Sequence, residues 1–316
     1  MKRVVFVALM LALAVSASVR PSAARTPAQT GAELLNALPD GNAVVLIDVQ
    51  RVTSSALWNM LASQEKFRSA FDKIQSSLAE VGLTLNDVQT VAVSFSNSDA
   101  NNPAVAVSGR LNQSALVARL RADEKVKVTS ETYKGFEVFR VESAKPQAGK
   151  RNDAGGFAFL DGATAVAGTP ASVRAAIDVK TGSRTSIAQN AKLTEALATT
   201  SGAVRFALEM SAIAGKLPTT SVGDFSSIKM IFGSVDVTTG IDLNATLRND
   251  TAEHARALAT QLSGLLEMAR GFLGASKDAK MAPIAEALKS VTITGNEQDV
   301  RITGNLPMEV LAQLFR

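Results

Sequence analysis

Short turns between apolar, β-branched segments constrain the fold of this chain more than any other feature. In "GFAFLDGATAVAG", Gly156 to Gly168, two apolar runs flank Asp161-Gly162, a dipeptide typical of two-residue hairpin turns. A second pair of runs meets at Lys134-Gly135. Because a short turn returns the chain beside itself, such strands pair antiparallel. The sequence therefore predicts antiparallel hairpins.

Amphipathic helices are predicted between the strand pairs. Apolar residues recur at steps of three and four from Thr53 to Glu80, and again from Asp250 to Leu273. Alternating residues in the strands, such as Leu243, Ala245 and Leu247, indicate strands with one covered face. The predicted fold class is α+β, with antiparallel sheets that are each covered on one face by helices.

The order of elements repeats along the chain. Strand, helix, two strands, helix, hairpin and helix follow one another in both halves, and "PAVAVSGRLNQSALVARL" corresponds to "GIDLNATLRNDTAEHARALATQL". We therefore predict a tandem duplication, with a first α+β unit at residues 25–200 that has an extra hairpin. The second unit is predicted at residues 201–316.

Residues 1–24 have the tripartite pattern of a secretory signal peptide. Lys2 and Arg3 precede the apolar run Val4 to Val19, and cleavage is expected after Ala24, with Ala17 as a second site. The run is shorter than the roughly 20 residues of a spanning helix, which disfavours an uncleaved anchor. The protein is therefore expected to be exported, periplasmic or extracellular, and free of integral membrane insertion after cleavage.

The charge of the mature chain disfavours nucleic acid as a partner. The whole chain has a net charge of +4, but the leader has three basic residues and no acidic one. The remainder is close to neutral and has no basic stripe with interleaved aromatic residues.

Composition also restricts the chemistry. The chain has no cysteine and a single histidine, His254, so thiol nucleophiles and zinc sites built from Cys and His are excluded. We predict no cofactor, no metal and no enzymatic activity.

A phosphate-binding loop was the alternative for the segment around Gly162 and Gly168. Five residues separate these glycines, where a Walker loop has four, and Thr169-Pro170 stands in place of Lys and Ser or Thr. The segment is better interpreted as a strand that ends at Gly168 and a helix capped by Thr169. The same pattern predicts that Gly304 ends a strand and Pro307 opens a helix.

A carboxylate-based hydrolase is the least favoured of three functional hypotheses. Its acids would come from Asp48, Asp161, Asp236 and Asp242, of which two or three would have to lie in one cleft. The Asn residues of two Asn-X-Ser/Thr sequences, Asn112 and Asn249, are interpreted as helix caps.

Two features suit a partner. The polar loop Ser143 to Gly156 has three basic residues together, and the helix after Asp250 has an apolar stripe. The predicted ligand- or partner-binding residues are Lys145, Lys150, Arg151, Leu258, Leu262 and Phe272. Each feature also has a purely structural interpretation, as a hairpin connection and as a helix packed on a sheet.

The run Phe157 to Val179, followed by "SIAQNAKLTEAL" and "AVRFALEM", resembles a family of uncharacterised exported bacterial α+β proteins. The resemblance covers about Tyr133 to Met210. It implies a fold and an exported location, but no activity and no functional residues. The leading hypothesis is a non-catalytic envelope protein that binds a protein or surface component. The alternative is a carrier that holds an apolar small molecule or lipid between helices and sheet.

Overall fold

The computed structural model describes residues 31–80, 82–96, 102–144, 154–210, 225–276 and 281–314. The predicted signal peptide, residues 1–24, lies outside them. The chain divides into two compact units: the first comprises residues 1–54 and 61–191, and the second residues 55–60 and 192–316. Each unit consists of helices packed against an antiparallel sheet, so the predicted α+β class is confirmed.

The first unit contains seven strands. Its elements are α1 (Gly31–Leu35), β1 (Ala43–Asp48), α2 (Val49–Thr53), α4 (Glu65–Glu80), β2 (Val88–Phe95), β3 (Ala104–Gly109), α5 (Gln113–Ala122), β4 (Val126–Tyr133), β5 (Phe136–Ser143), β6 (Gly155–Phe159), β7 (Thr164–Gly168) and α6 (Pro170–Lys180); α3 (Ala56–Ser63) spans the division between units. The strand order is β1-β2-β3-β7-β6-β5-β4. The predicted single helix over Thr53 to Glu80 is thus broken into separate helices.

Aromatic packing and a polar network hold the β4–β5 hairpin in place. The rings of Phe139 and Phe157 stack with their centroids 4.8 Å apart, and Phe139 is fully buried. At the turn, the Tyr133 hydroxyl donates a hydrogen bond to the Asp178 carboxylate of α6 over 3.0 Å, and the Lys134 ammonium binds the same oxygen. Because these donors favour the charged form, they lower the pKa of Asp178, with the Lys134 hydrogen bond the largest cause.

The second unit contains five strands. Its elements are α7 (Ala191–Ala198), β8 (Val204–Glu209), β9 (Ile228–Asp236), β10 (Gly240–Asn249), α8 (Ala252–Ala275), α9 (Ala282–Lys289), β11 (Thr292–Asn296), β12 (Asp299–Pro307) and α10 (Met308–Leu314). The strand order is β8-β9-β10-β12-β11. The N-terminal part of α8 packs on this sheet around Ala255, Leu258 and Val300, which form the centre of the core.

The two units have related strand orders. In each, the first three strands are neighbours in chain order, and the last strand before the final helix returns beside the third. The first unit has two hairpins where the second has one. The duplication, and the boundary predicted at residue 200, stay predictions.

The hairpin turns differ from one prediction. Lys134 and Gly135 both have positive φ, at 48° and 84°, as a two-residue type I′ turn requires. The Asp161-Gly162 connection is longer than predicted, because β6 ends at Phe159 and β7 begins at Thr164. Asp161 Oδ1 instead accepts a hydrogen bond from the Ala163 amide over 2.9 Å, an Asx turn that needs no positive φ at Gly162.

Helix caps follow the predictions in two cases of three. Thr169 caps α6 by accepting from the Ser172 amide over 3.2 Å, and Asn112 caps α5 by accepting from the Ala115 amide over 3.0 Å. The cap predicted at Asn249 is wrong, since Thr251 caps α8. Asn249 ends β10, where its buried side chain accepts from the Ser227 hydroxyl and donates to the Leu247 carbonyl.

The strand end predicted at Gly304 is also wrong. Strand β12 continues to Pro307, and α10 begins one residue later. The continuation follows from pairing: Gly304, Asn305, Leu306 and Pro307 all have partners in β10, from Leu243 back to Gly240.

Candidate functional site

A polar pocket lies at one end of the second unit's sheet. It has a volume of about 360 Å³ and is formed by residues of β9, β10 and β12 together with neighbouring loops. Its walls include Ser234, Asp236, Asp242, Asn244, Ser290 and Asn305. Acceptor and hydroxyl groups dominate this lining, which therefore does not favour the predicted apolar ligand.

Two carboxylates meet in the pocket. Asp236 and Asp242 are directly opposite each other in the β9–β10 register, as predicted, and residues so paired have Cβ atoms about 5 Å apart. Asp236 Oδ1 accepts from the Thr238 amide over 2.9 Å, and Asp242 Oδ1 accepts from the Asn305 side-chain amide. Both acids therefore have donors within the chain.

The other two candidate acids serve the first unit's backbone. Asp48 caps α2 by accepting from the Arg51 amide over 2.9 Å, and Asp161 makes the Asx turn described above. The hydrolase hypothesis thus retains one pair, Asp236 and Asp242. No group of three His, Cys, Asp or Glu side chains suited to a metal occurs among the residues that the structure describes.

His254 forms an ion pair at the start of α8. Its Nδ1 lies 2.6 Å from Asp250 Oδ1, and the histidine side chain is exposed. This hydrogen bond is the largest cause of a lowered pKa at Asp250, to which the Lys229 ammonium also contributes. An acidic group before the first turn interacts favourably with the helix dipole, so the pair has a structural explanation.

The predicted apolar stripe of α8 divides between two faces. Leu258 is buried in the core and Leu262 packs against it, so both side chains contact the sheet. Phe272 is 77% exposed. Of the three predicted residues, Phe272 is therefore the one whose side chain is accessible to a partner.

Phe272 belongs to a continuous outer face of α8. Met268 is 65% and Leu265 is 36% exposed, and with Phe272 they follow the i, i+3, i+7 spacing of one helix face. We define the outer face by its exposed residues: Gln261, Gly264, Leu265, Met268, Gly271, Phe272 and Ala275. The face is four turns long and has no charged residue.

The charges of this part of α8 are directed elsewhere. Glu267 and Arg270 form an ion pair of 2.6 Å one turn apart. The Arg270 guanidinium also donates to the carbonyls of Leu288 and Val291, over 2.9 and 2.6 Å, at the end of α9. Arg270 thus satisfies carbonyls at a helix C-terminus and leaves the outer face apolar.

The basic residues Lys145, Lys150 and Arg151 lie outside the described residues. The segment that contains them connects β5 to β6, which are antiparallel neighbours. Their role as a partner-binding tip stays a prediction.

Sequence reasoning did not single out Met268 or the pocket. The predicted stripe placed Leu258, Leu262, Leu265 and Phe272 on one face, although a helix longer than four turns rotates such a set by a wide angle. Plotting all 24 residues of α8 at 100° per residue separates Leu265, Met268 and Phe272 from the buried set.

Among the described residues, no helix has both the length and the apolar character needed to cross a membrane. No family model matches the sequence, and no curated protein matches it. Two solved structures, crystal forms I and IV of TP0453, are similar to this chain, with TM-scores of 0.46 and 0.47 and sequence identities of 9% and 10%. Each alignment covers 89% of this chain and 95% of the other.

Proposed function

We propose that the protein is exported to the cell envelope and acts there by binding a protein partner, without catalysis. The observation that supports this proposal is the outer face of α8, where Leu265, Met268 and Phe272 are exposed together. An exposed apolar patch of contiguous side chains is a common feature of protein interaction sites.

Burial of this face would provide the driving force for binding. A fully buried Phe, Leu or Met contributes about 1.5–3 kcal/mol relative to exposure, and aromatic residues and Met are enriched at interface centres. The α8 backbone is anchored by its inner face, so binding requires little ordering of the helix.

The test is to capture envelope partners with the exported protein and with Phe272→Asp. A charge at the centre of an apolar contact must be desolvated, so we expect the variant to lose the partner. Gln313→Asp, which adds the same charge at an exposed position of α10, is the matched control and should retain it. Equal capture by Phe272→Asp and the wild-type protein would refute the proposed contact.

Export is tested separately. The mature protein recovered from the periplasm or medium should begin at Arg25, as read by mass spectrometry of the intact chain. Deleting residues 1–24 should keep the protein in the cytoplasm. A periplasmic protein that retains residues 1–24 would contradict cleavage, and a cytoplasmic wild-type protein would contradict export.

A further inference from the structure

The outer face of α8 contains glycines that the isolated chain does not require. A Cβ added at Gly264 or Gly271 would meet no atom within 4 Å, and neither residue has a positive φ. Both lie inside a 24-residue helix, where glycine is the poorest residue after proline. The contacts within the chain therefore leave these two glycines unexplained.

The two glycines and the large apolar residues lie on opposite edges of the outer face. With 100° per residue, Leu265 and Phe272 lie about 40–60° to one side of Met268. Gly264 and Gly271 lie about 40–60° to the other side. Both edges have a seven-residue spacing, so the face has a ridge and a parallel shallow groove.

A surface that fits this face must have large side chains opposite the groove and small ones opposite the ridge. The face itself has that pattern. A two-fold axis parallel to α8 places the ridge of one copy over the groove of the other. Leu265 then lies over the partner copy's glycine at position 264, and Phe272 over the one at position 271, each within about one residue rise of 1.5 Å.

We propose that α8 is a self-association surface, on which a second copy of this chain binds through parallel, in-register packing of the two outer faces. This inference rests on the proposed function and identifies its partner. Charge supports the choice of occupant, because an uncharged face is matched by another uncharged face, and the neighbouring Glu267 and Arg270 already neutralise each other.

The size of the face predicts a weak dimer. Fifteen residues span about 22 Å, and a helix is about 10 Å wide, which gives roughly 220 Å² per copy. Stable complexes bury about 800 Å² per partner, so this contact belongs to the transient class. The monomer should therefore predominate at low concentration, and the dimer should form reversibly as concentration rises.

The absence of native cysteine allows a direct test by single substitution. Helix axes about 8–10 Å apart and Cα radii of about 2.3 Å put the two Met268 Cα atoms about 4–5 Å apart, within disulfide range. Met268→Cys should therefore form a disulfide-linked dimer under mild oxidation. Ser69→Cys, an exposed position on α4, is the control and should stay monomeric.

Ala275→Cys tests the orientation. In the parallel arrangement the two copies of position 275 are adjacent and should cross-link. In an antiparallel arrangement centred on Met268 they are about 21 Å apart and cannot. Cross-linking at Met268 without cross-linking at Ala275 would overturn the parallel arrangement, and absence of both would overturn self-association.

A double substitution separates packing from folding. Gly264→Ala with Gly271→Ala fills the groove but improves the helix, so the midpoint of thermal unfolding should rise while sedimentation shows weaker dimerisation. Unchanged dimerisation would overturn the role of the groove.

Two further outcomes distinguish the surface from other uses. A chain that is monomeric at every concentration, yet loses an envelope partner through Phe272→Asp, overturns self-association and leaves the proposed function standing. A monomeric chain that binds phosphatidylglycerol vesicles through Phe272 overturns both.

Discussion

Truncation of Leu258 and of Phe272 to alanine should have opposite consequences for stability, although both are apolar residues of α8. Leu258 is 4% exposed within the core of the second unit, whereas Phe272 is 77% exposed. Leu258→Ala removes three carbon atoms, worth about 2.4 kcal/mol at roughly 0.8 kcal/mol per buried methylene. With the cavity that remains, the expected loss is about 3–4 kcal/mol.

Phe272→Ala should change the free energy of unfolding by no more than about 0.5 kcal/mol, because the ring has little contact to lose. The assay is urea unfolding followed by circular dichroism, with dilute protein so that association does not contribute. Similar losses for the two variants would refute the division of α8 into an inner and an outer face. A small loss for Leu258→Ala alone would show that the core tolerates the cavity.

Three other perturbations follow from the described contacts. Gly233→Ala should destabilise the second unit by about 1–3 kcal/mol or more, because the added Cβ would lie 2.2 Å from the Asn244 carbonyl oxygen; thermal unfolding measures it, and an unchanged midpoint would contradict this close approach. Asn249→Ala should lose about 1–3 kcal/mol, as the buried Ser227 hydroxyl and Leu247 carbonyl lose their partner; Asn112→Ala, an exposed cap, should lose only about 1 kcal/mol in the same denaturation assay, and the reverse ranking would contradict the network. Because the pKa of Asp178 is lowered, its stabilising contribution is present above its ordinary value of 3.8 and is lost as pH falls through the lower folded value; Asp178→Asn should therefore be less stable than wild type at neutral pH, with the difference vanishing in strong acid, and a difference constant with pH would exclude this linkage.

Local sequence signals predicted the elements of this fold better than the connections between them. Alternation and turn residues located β1, the β4–β5 hairpin and the β9–β10 hairpin, since each depends on neighbours in the chain. The turn at Asp161-Gly162 was mispredicted, because the Asp161 side chain supplies an Asx turn that competes with the two-residue type. The cap at Asn249 failed because a residue distant in sequence, Ser227, recruits the side chain into the core.

The outer face of α8 shows why a functional surface is harder to predict than a fold. The periodicity of leucines identifies an amphipathic helix, but it cannot tell which apolar residues a sheet will cover. Only the position of β11 and β12 under α8 decides that Leu258 is buried and Phe272 is not. Once that is known, Gly264 and Gly271 acquire meaning, because residues that weaken a helix and contact nothing within the chain indicate a close approach from outside it.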